Sequence, residues 1–494
     1  MRIKSLYIKE YKILKDFYID FHEDINTNVI IGKNGSGKTT LFEAIIHIFR
    51  EPSLVNNVQY LKKAFKALKL EFEINYQCKG KEIHFSHIDD KLVWLADGNN
   101  ILENDNLFAY HELFDNTPYV PKKILDFMPD HIITYYAGES DRITSLFKIP
   151  LDDAAKLLQK GKQIPLRQFL NVNTKDIRKV LVSLFVFNGI KSLDIKNLEE
   201  FQLLFKKPKW YTTAKNNFNK LEETEGIENA IEQFNPDFYF AEGVIGTFLE
   251  NLRKLAYTGG FDMESEPHHV SQLYIKADDL TLLKESKINI SDKIDLFKLL
   301  DHTKHSDLLE GLKLYFKIES KKDPIELSQF SEGEQQIKLV TGLFELFKNQ
   351  ETLFLFDEPD TYLHPEWQVK LFKTLLKASK SQTIVTSHSS IALALLKQEN
   401  LFSMKKGKLS QIKEKPFAAD VDNILFNVQN VLQPHSELEN QDKYKEIIAA
   451  IDIEDFENAY KLLAEFIELN QIDEINSIIS ELKMRIRNKE LFGE

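Results

Sequence analysis

The chain is expected to adopt an α/β fold, a parallel sheet flanked by helices, joined by an antiparallel β lobe, a helical insertion and a helical C-terminal tail. Three observations lead there. Short apolar runs at Val29 to Ile31, Glu351 to Phe356 (ETLFLF) and Gln382 to Ser387 (QTIVTS) read as buried strands of a parallel sheet. Leu41 to Phe49 (LFEAIIHIF) places apolar side chains at helical spacing directly after the first run. Elsewhere the pattern changes twice, to alternating strands in the first hundred residues and to amphipathic helices from about Asp152 to Leu300.

Between the first strand and its helix stand Gly32, Lys33, Asn34, Gly35, Ser36, Gly37, Lys38 and Thr39, followed by Thr40. The first eight fit the phosphate-binding pattern G-x-x-x-x-G-K-[ST] without a mismatch, in the strand-loop-helix setting that the pattern requires. Glycines let the backbone approach a phosphate, and the free N–H groups at the helix start attract it. Lys38 is placed to reach β- and γ-phosphate oxygens and Thr39 to ligate Mg²⁺, so the loop implies a nucleoside triphosphate, ATP, with Mg²⁺.

The second strand ends at Asp357-Glu358, and two carboxylates at the carboxyl end of a parallel strand suit metal and water chemistry. Asp357 is expected in the Mg²⁺ shell, with Glu358 as general base or water-orienting group. The third strand is followed at once by His388, a polar residue able to touch the γ-phosphate. Helix capping by the carboxylates and a purely structural histidine are the simpler readings of each feature taken alone.

With Phe330-Ser331-Glu332-Gly333-Glu334-Gln335 added, the set resembles the ABC-type ATPases of the SMC, RecF and OLD group. Ser331 and Gly333 match the signature Leu-Ser-Gly-Gly-Gln, and Glu332 replaces a glycine. The resemblance implies that Ser331 and the backbone of Gly333 bind the γ-phosphate of ATP held by another copy's P-loop, so that a working site needs a head-to-tail dimer or higher oligomer. Lys12, in Tyr11-Lys12-Ile13-Leu14, matches a basic residue that touches phosphate in relatives. Asp360-Thr361-Tyr362-Leu363-His364-Pro365 stands in place of the D-loop and resembles OLD-like and defence-associated members more than SMC proteins. No glutamine follows a strand at Q-loop depth; His131 to Tyr136 (HIITYY) is the corresponding strand, with Glu139 a substitute.

The expected organisation is an N-terminal part of the ATPase head at 1–150, a mainly helical insertion at 151–310, the C-terminal part of the head at 311–412 and a helical tail at 413–494. Arg2 to Phe21 reads as a β-hairpin, with further strands at Leu68 to Asn75, Glu82 to His87 and Lys91 to Leu95. Thr174 to Phe187 and Gly243 to Leu255 are helices of the insertion, which lacks the sustained heptads of a coiled-coil arm. Leu312 to Glu319 returns to strand character. The tail suggests a helical hairpin from Asp442 to Arg487 whose apolar stripe is either core or a surface for a partner.

Of 494 residues, 43% are apolar and 28% charged, enough for a sizeable core, and no run approaches the roughly 18 apolar residues of a membrane span. A cytoplasmic protein without membrane attachment is expected. The single cysteine, Cys78, excludes an internal disulfide framework. A net charge of −12 leaves DNA or RNA contact to a partner or to local basic patches, of which Lys206 to Tyr211 with Lys215 and Lys220 is the best candidate, a solvated helix face being the alternative.

Asp420-Val421-Asp422 reads as a helix start and not as a Toprim centre, and His268-His269 and His302/His305 lack the spacing of an HNH set. Among ATPases of this kind the chain most resembles the ATPase subunits (PtuA) of Septu-type anti-phage systems, including those attached to retrons. That resemblance implies a separate HNH nuclease partner. A RecF-like DNA-repair ATPase is the alternative, and a transporter's nucleotide-binding subunit a further one.

Overall fold

The computed structural model describes residues 1–103, 107–108, 123–136, 141–187, 197–262, 268–285, 290–317, 322–361, 363–377, 381–389, 396–412, 446–447, 449–450 and 455–469. The chain divides into two compact units, Met1–Ala418 and Ala419–Glu494.

The first unit is organised around a seven-stranded sheet in the order Lys408–Gln411, Leu401–Lys405, Thr27–Ile31, Thr383–Ser387, Thr352–Asp357, His131–Tyr136 and Phe169–Val172. All neighbours run parallel except the Leu401–Lys405 and Lys408–Gln411 hairpin. Thr27–Ile31, Thr352–Asp357 and Thr383–Ser387 are buried at every position, which is why they read as unbroken apolar runs. Their register sets Ile31 opposite Ser387, Thr386 opposite Asp357, and Asp357 opposite Tyr136. The carboxyl ends of the parallel strands thus carry the chemistry-bearing residues of three distant segments.

The Lys38–Leu54 helix leaves the first of these strands and is buried along nearly its whole length. On its far side lies a six-stranded antiparallel sheet, in the order Leu14–Asp20, Arg2–Tyr11, Glu71–Cys78, Lys81–Ile88, Lys91–Ala96, Asn99–Asn100. Leu41, Phe42, Ile45, Ile46 and Phe49 of the helix share one core with Ile3, Leu6, Ile8, Phe72, Ile74, Tyr76 and Phe85 of that sheet. Such a helix must be apolar on opposite faces, which explains the density of LFEAIIHIF. Toward its C-terminus three buried polar residues pair with one another: His47 and Arg50 both reach the Glu51 carboxylate. Cys78 lies in the same core, and burial pushes its thiol up to about 12, the behaviour of an inert structural cysteine.

The region from 151 to 310 is richer in strands than its sequence suggests. Helices occur at Lys148–Gln159, Ile177–Val186, Tyr211–Glu225, Gly243–Leu255 and Lys293–His305. Phe169–Val172, however, forms an edge of the parallel sheet, and a five-stranded antiparallel sheet runs Thr258–Asp262, His269–Lys276, Leu198–Phe205, Leu309–Phe316, Ile325–Glu326. Leu198–Phe205 (LEEFQLLF) has a run of three buried residues at its centre, so it shows no simple alternation to distinguish it from a helix.

A buried ionic network holds this region together. Lys179 bonds Asp301 at 2.7 Å and Asp176 at 2.9 Å, Arg167 bonds Asp301 at 2.8 Å, and Lys304 bonds Asp176 at 2.9 Å. Burial pushes both carboxyls up, but the cations outweigh it: Lys179 and Lys304 at Asp176, Arg167 and Lys179 at Asp301. Both end well below the usual carboxylate range.

In the second unit the described residues include one helix, Phe456–Leu469, whose Asn458 N–H donates to the Asp455 carboxylate at 3.3 Å. Ala459 and Leu463 are buried on one face. Asp420, Asp422 and the greater part of the expected helical hairpin lie outside the described residues.

Candidate nucleotide site

At the start of the long helix Gly37 is the N-cap residue with φ +114°, a conformation that side-chain-bearing residues avoid, and a Cβ there would lie 3.2 to 3.3 Å from Leu14, Ile13 and Met404. The turn it makes brings Lys38 back over the loop, where Nζ donates to the Gly32 carbonyl at 2.8 Å. Lys38 is 4% exposed, and burial lowers its pKa. Thr39 donates its hydroxyl to Asp357 Oδ2 at 2.9 Å. Thr386, one strand over, donates to the other oxygen of the same carboxylate. Burial raises the Asp357 pKa although both hydroxyls favour its charged form.

Glu358 follows in a left-handed conformation, φ +51°, with its N–H bonded to Thr386 at both the carbonyl, 3.1 Å, and the hydroxyl, 3.0 Å. Backbone held this way in a non-glycine residue is costly and is found where it aims a side chain. Its carboxylate points at His388 Nε2, 2.8 Å, and lies 3.7 Å from Lys38 Nζ. Lys38 Nζ is itself 2.8 Å from the same ring nitrogen. That nitrogen can accept from Lys38 or donate to Glu358, not both at once. The hydrogen bond to His388 holds Glu358 below the usual carboxylate range in spite of its burial.

Around this centre lies a cavity of about 500 Å³ lined by Ile13, Asn34 to Thr40, Tyr136, Arg142 and Glu358. The residues fit a triphosphate with Mg²⁺. Ser36 Oγ is buried inside the loop without a hydrogen-bond partner, Lys38 is held at its floor, and the Thr39 hydroxyl and Asp357 carboxylate meet as a metal-ligating pair would. The structure therefore brings Lys38, Thr39, Asp357, Glu358 and His388 together from three segments.

Three features had no sequence signal. Arg142 follows the His131–Tyr136 strand and bonds Glu43 at 2.9 Å and Thr40 at 3.3 Å. Glu43 is buried in the long helix and reads from sequence as one polar position among apolar ones. Thr386 reads only as a strand residue. Lys12, with φ +53° at a hairpin turn, bonds Glu43 at 2.7 Å from the other side. Glu139 lies outside the described residues.

Ser331 and Gly333 stand apart from this cavity lining, at the N-terminus of the Glu332–Phe347 helix. Ser331 caps it: its hydroxyl accepts from Glu334 N–H at 3.3 Å, while Glu334 accepts from Ser331 N–H at 3.1 Å. Gly333 is covered by Trp367, whose ring would lie 2.5 Å from a Cβ. Glycine is thus required there by packing inside one copy. Gln336 donates to the Pro359 carbonyl, and Gln368 to the Leu363 carbonyl at 3.0 Å, tying this helix and the Asp360 segment to the strand that ends in Asp357 and Glu358. Asp360 accepts from Ser387 at 2.7 Å.

The basic patch does not present its aromatics for stacking. Tyr211 is buried against His269 and Phe240, Trp210 donates to the Ser306 carbonyl at 2.6 Å, and Lys206 pairs with Asp307. His269 is a core histidine bonded to the Pro236 carbonyl, and His305 faces Asp301. Among the described residues no helix is long and apolar enough to cross a membrane.

Fold and site define an ABC-type P-loop ATPase of the SMC and RecF kind. The chain matches the family described as AAA ATPase domain over residues 1–393 and belongs to it. Among similar proteins, "Retron Vc95 probable ATPase" of Vibrio cholerae serotype O1 biovar El Tor is 21% identical across 88% of this chain and 81% of its own length. "Retron Ec83 probable ATPase" of Escherichia coli is 22% identical across 91% of this chain and 79% of its own. The DNA replication and repair protein RecF of Staphylococcus carnosus is 23% identical over 30% of this chain and 43% of its own length. An SMC head bound to the C-winged helix domain of ScpA aligns with 84% of this chain and 98% of its own, at 15% identity and a TM-score of 0.34.

Proposed function

We propose that the protein binds and hydrolyses ATP with Mg²⁺ at a site completed by a second copy, and that it serves as the switch of an anti-phage defence system, controlling a separate nuclease. The observation that carries the ATPase reading is the meeting of Lys38, Thr39, Asp357, Glu358 and His388 side chains beside a cavity that Lys38, Thr39 and Glu358 line. ATP with Mg²⁺ supplies the anhydride bond to be cleaved and the cation that neutralises its oxygens. Loop N–H groups cradle the phosphates while Lys38 leaves its contacts with His388 and Glu358 for the β- and γ-oxygens. Thr39 and Asp357 hold the metal. Glu358, freed of Lys38 and aimed by its left-handed backbone, orients water and takes its proton, and His388 touches the γ-phosphate.

The second copy enters because Ser331 is exposed and lies outside this copy's cavity lining, so that its hydroxyl is open to a phosphate held elsewhere. The defence reading rests on the two retron ATPases, which align along most of their length. An HNH-type partner encoded beside this chain is the expected effector. Co-purification of the two proteins, with DNA cleavage that changes when ATP is added, is the expected result. A pair that neither associates nor responds to ATP removes the defence role, and DNA-stimulated ATP turnover without any nuclease would favour a RecF-like repair role.

A further inference from the structure

Glu43 is a carboxylate with 3% of its side chain exposed, yet it sits one helical turn beyond the phosphate loop, where an isolated charge is costly. Two cations from separate segments meet on it. Lys12, from the turn between the first two strands, bonds Oε2 at 2.7 Å, and Arg142, from the short helix Asp141–Thr144, bonds Oε1 at 2.9 Å. The carboxylate thus fixes two cations at once, and of the two Arg142 lines the cavity. Both cations are about half exposed, 52% and 50%, with Glu43 beneath them.

Their position along the loop is specific. Lys38 faces Glu358 and His388, Thr39 faces Asp357, and Thr40 faces Arg142, whose terminal nitrogen lies 3.3 Å from its hydroxyl. Lys38 and Thr40 are two residues apart on a helix and so point about 200° apart around its axis. Arg142 therefore lines the cavity on the side away from the general base. In a loop of this pattern the lysine takes the β- and γ-oxygens and the backbone N–H groups of the loop cradle the α- and β-phosphates.

We infer that Arg142, aimed by Glu43, is a nucleotide-binding residue that clamps the α- and β-phosphates of the bound nucleotide. This rests on the nucleotide site proposed above and adds to it a contact that acts on affinity, not on the cleaved bond. A planar guanidinium can keep Glu43 through Nε and offer its outer edge to phosphate oxygens, which a lysine ammonium cannot do with the same geometry. Interactions shared by the bound nucleotide and the transition state change KM and leave kcat.

The test is nucleotide affinity by calorimetry, with steady-state turnover, for Arg142→Ala, Arg142→Lys and the Lys38→Ala control. For Arg142→Ala the dissociation constants of ATP and ADP should both rise by the same factor, roughly 10- to 100-fold, the range for a charged hydrogen bond. The turnover number at saturating ATP should stay within about twofold. Arg142→Lys should recover part of the affinity. Because Arg142 is half exposed and Lys12 still pairs with Glu43, the nucleotide-free melting temperature should fall only slightly, too little to account for the lost affinity, which separates lost binding from lost folding. Unchanged affinity in Arg142→Ala, a loss confined to ATP, or a fall in turnover number at unchanged affinity would each overturn the assignment. If Lys38→Ala itself binds ATP as the unaltered chain does, the failure lies in the nucleotide site and not in Arg142.

Discussion

Replacing Glu358 by glutamine should leave ATP binding intact and lower hydrolysis by about 10²-fold or more, the usual loss when a positioned acid–base group is removed. Glutamine keeps the size and the hydrogen bond to His388, so the cavity and the left-handed backbone survive. What it cannot do is take a proton from water. With hydrolysis blocked, the ATP-bound assembly of two copies should accumulate, visible as an ATP-dependent increase in sedimentation coefficient. The assignment has a built-in contrast: Lys38→Ala should lose ATP binding itself, since the loop then lacks its buried cation. Hydrolysis at the unaltered rate by Glu358→Gln would remove Glu358 as general base.

A comparably large effect, on stability, is expected from Lys179→Met. Lys179 is 4% exposed and is shared by Asp176 and Asp301. Its removal leaves two buried carboxylates with one cation fewer, and breaking a buried pair in this way costs about 3–5 kcal/mol. Thermal unfolding should show a midpoint lowered by several degrees. Lys304→Met, which removes the 37% exposed partner of Asp176, should cost less than about 1 kcal/mol. Equal midpoints for Lys179→Met and the unaltered chain would show that the network is energetically idle.

The pH dependence follows from the same groups. Asp176 and Asp301 are held below their unfolded values, so their contribution is present above about pH 4 and fades as the pH falls through the lower folded values. Lys179 runs the other way. Burial lowers its pKa, but Asp176 and Asp301 raise it further, so its contribution is complete below about pH 10 and is lost as the pH rises through its raised value. The Lys179→Met deficit should therefore be constant between about pH 5 and 9 and shrink in acid.

Much of the parallel sheet was legible because its strands are buried on both faces, which removes alternation and leaves the short apolar runs at Val29, Thr352 and Thr383. The phosphate loop was legible because its geometry demands glycine and lysine at fixed offsets. The five-stranded sheet was not: Leu198–Phe205 has no clean alternation, and Thr258–Asp262 (TGGFD) has little strand propensity and is held by its pairing with His269–Lys276. Arg142 and Glu43 were invisible for another reason. Their meaning lies in 99 residues of separation closed by the fold, and neither belongs to a pattern with fixed spacing. Tyr211 shows the converse: in an aromatic and basic run that offered nucleic acid or a solvated face as readings, its ring is buried against His269, while Lys206, Lys207 and Lys209 stay exposed.

In the proposed assembly one copy holds the phosphates and another supplies Ser331. It is tested most directly by mixing two inactive chains, Lys38→Ala, whose Ser331 helix is intact, and Ser331→Arg, whose phosphate loop is intact. In a head-to-tail pair of the two, one composite site keeps both functional halves. Each variant alone should hydrolyse no ATP, and the mixture should regain turnover. A mixture as inactive as its parts, or full activity of Ser331→Arg alone, would contradict it.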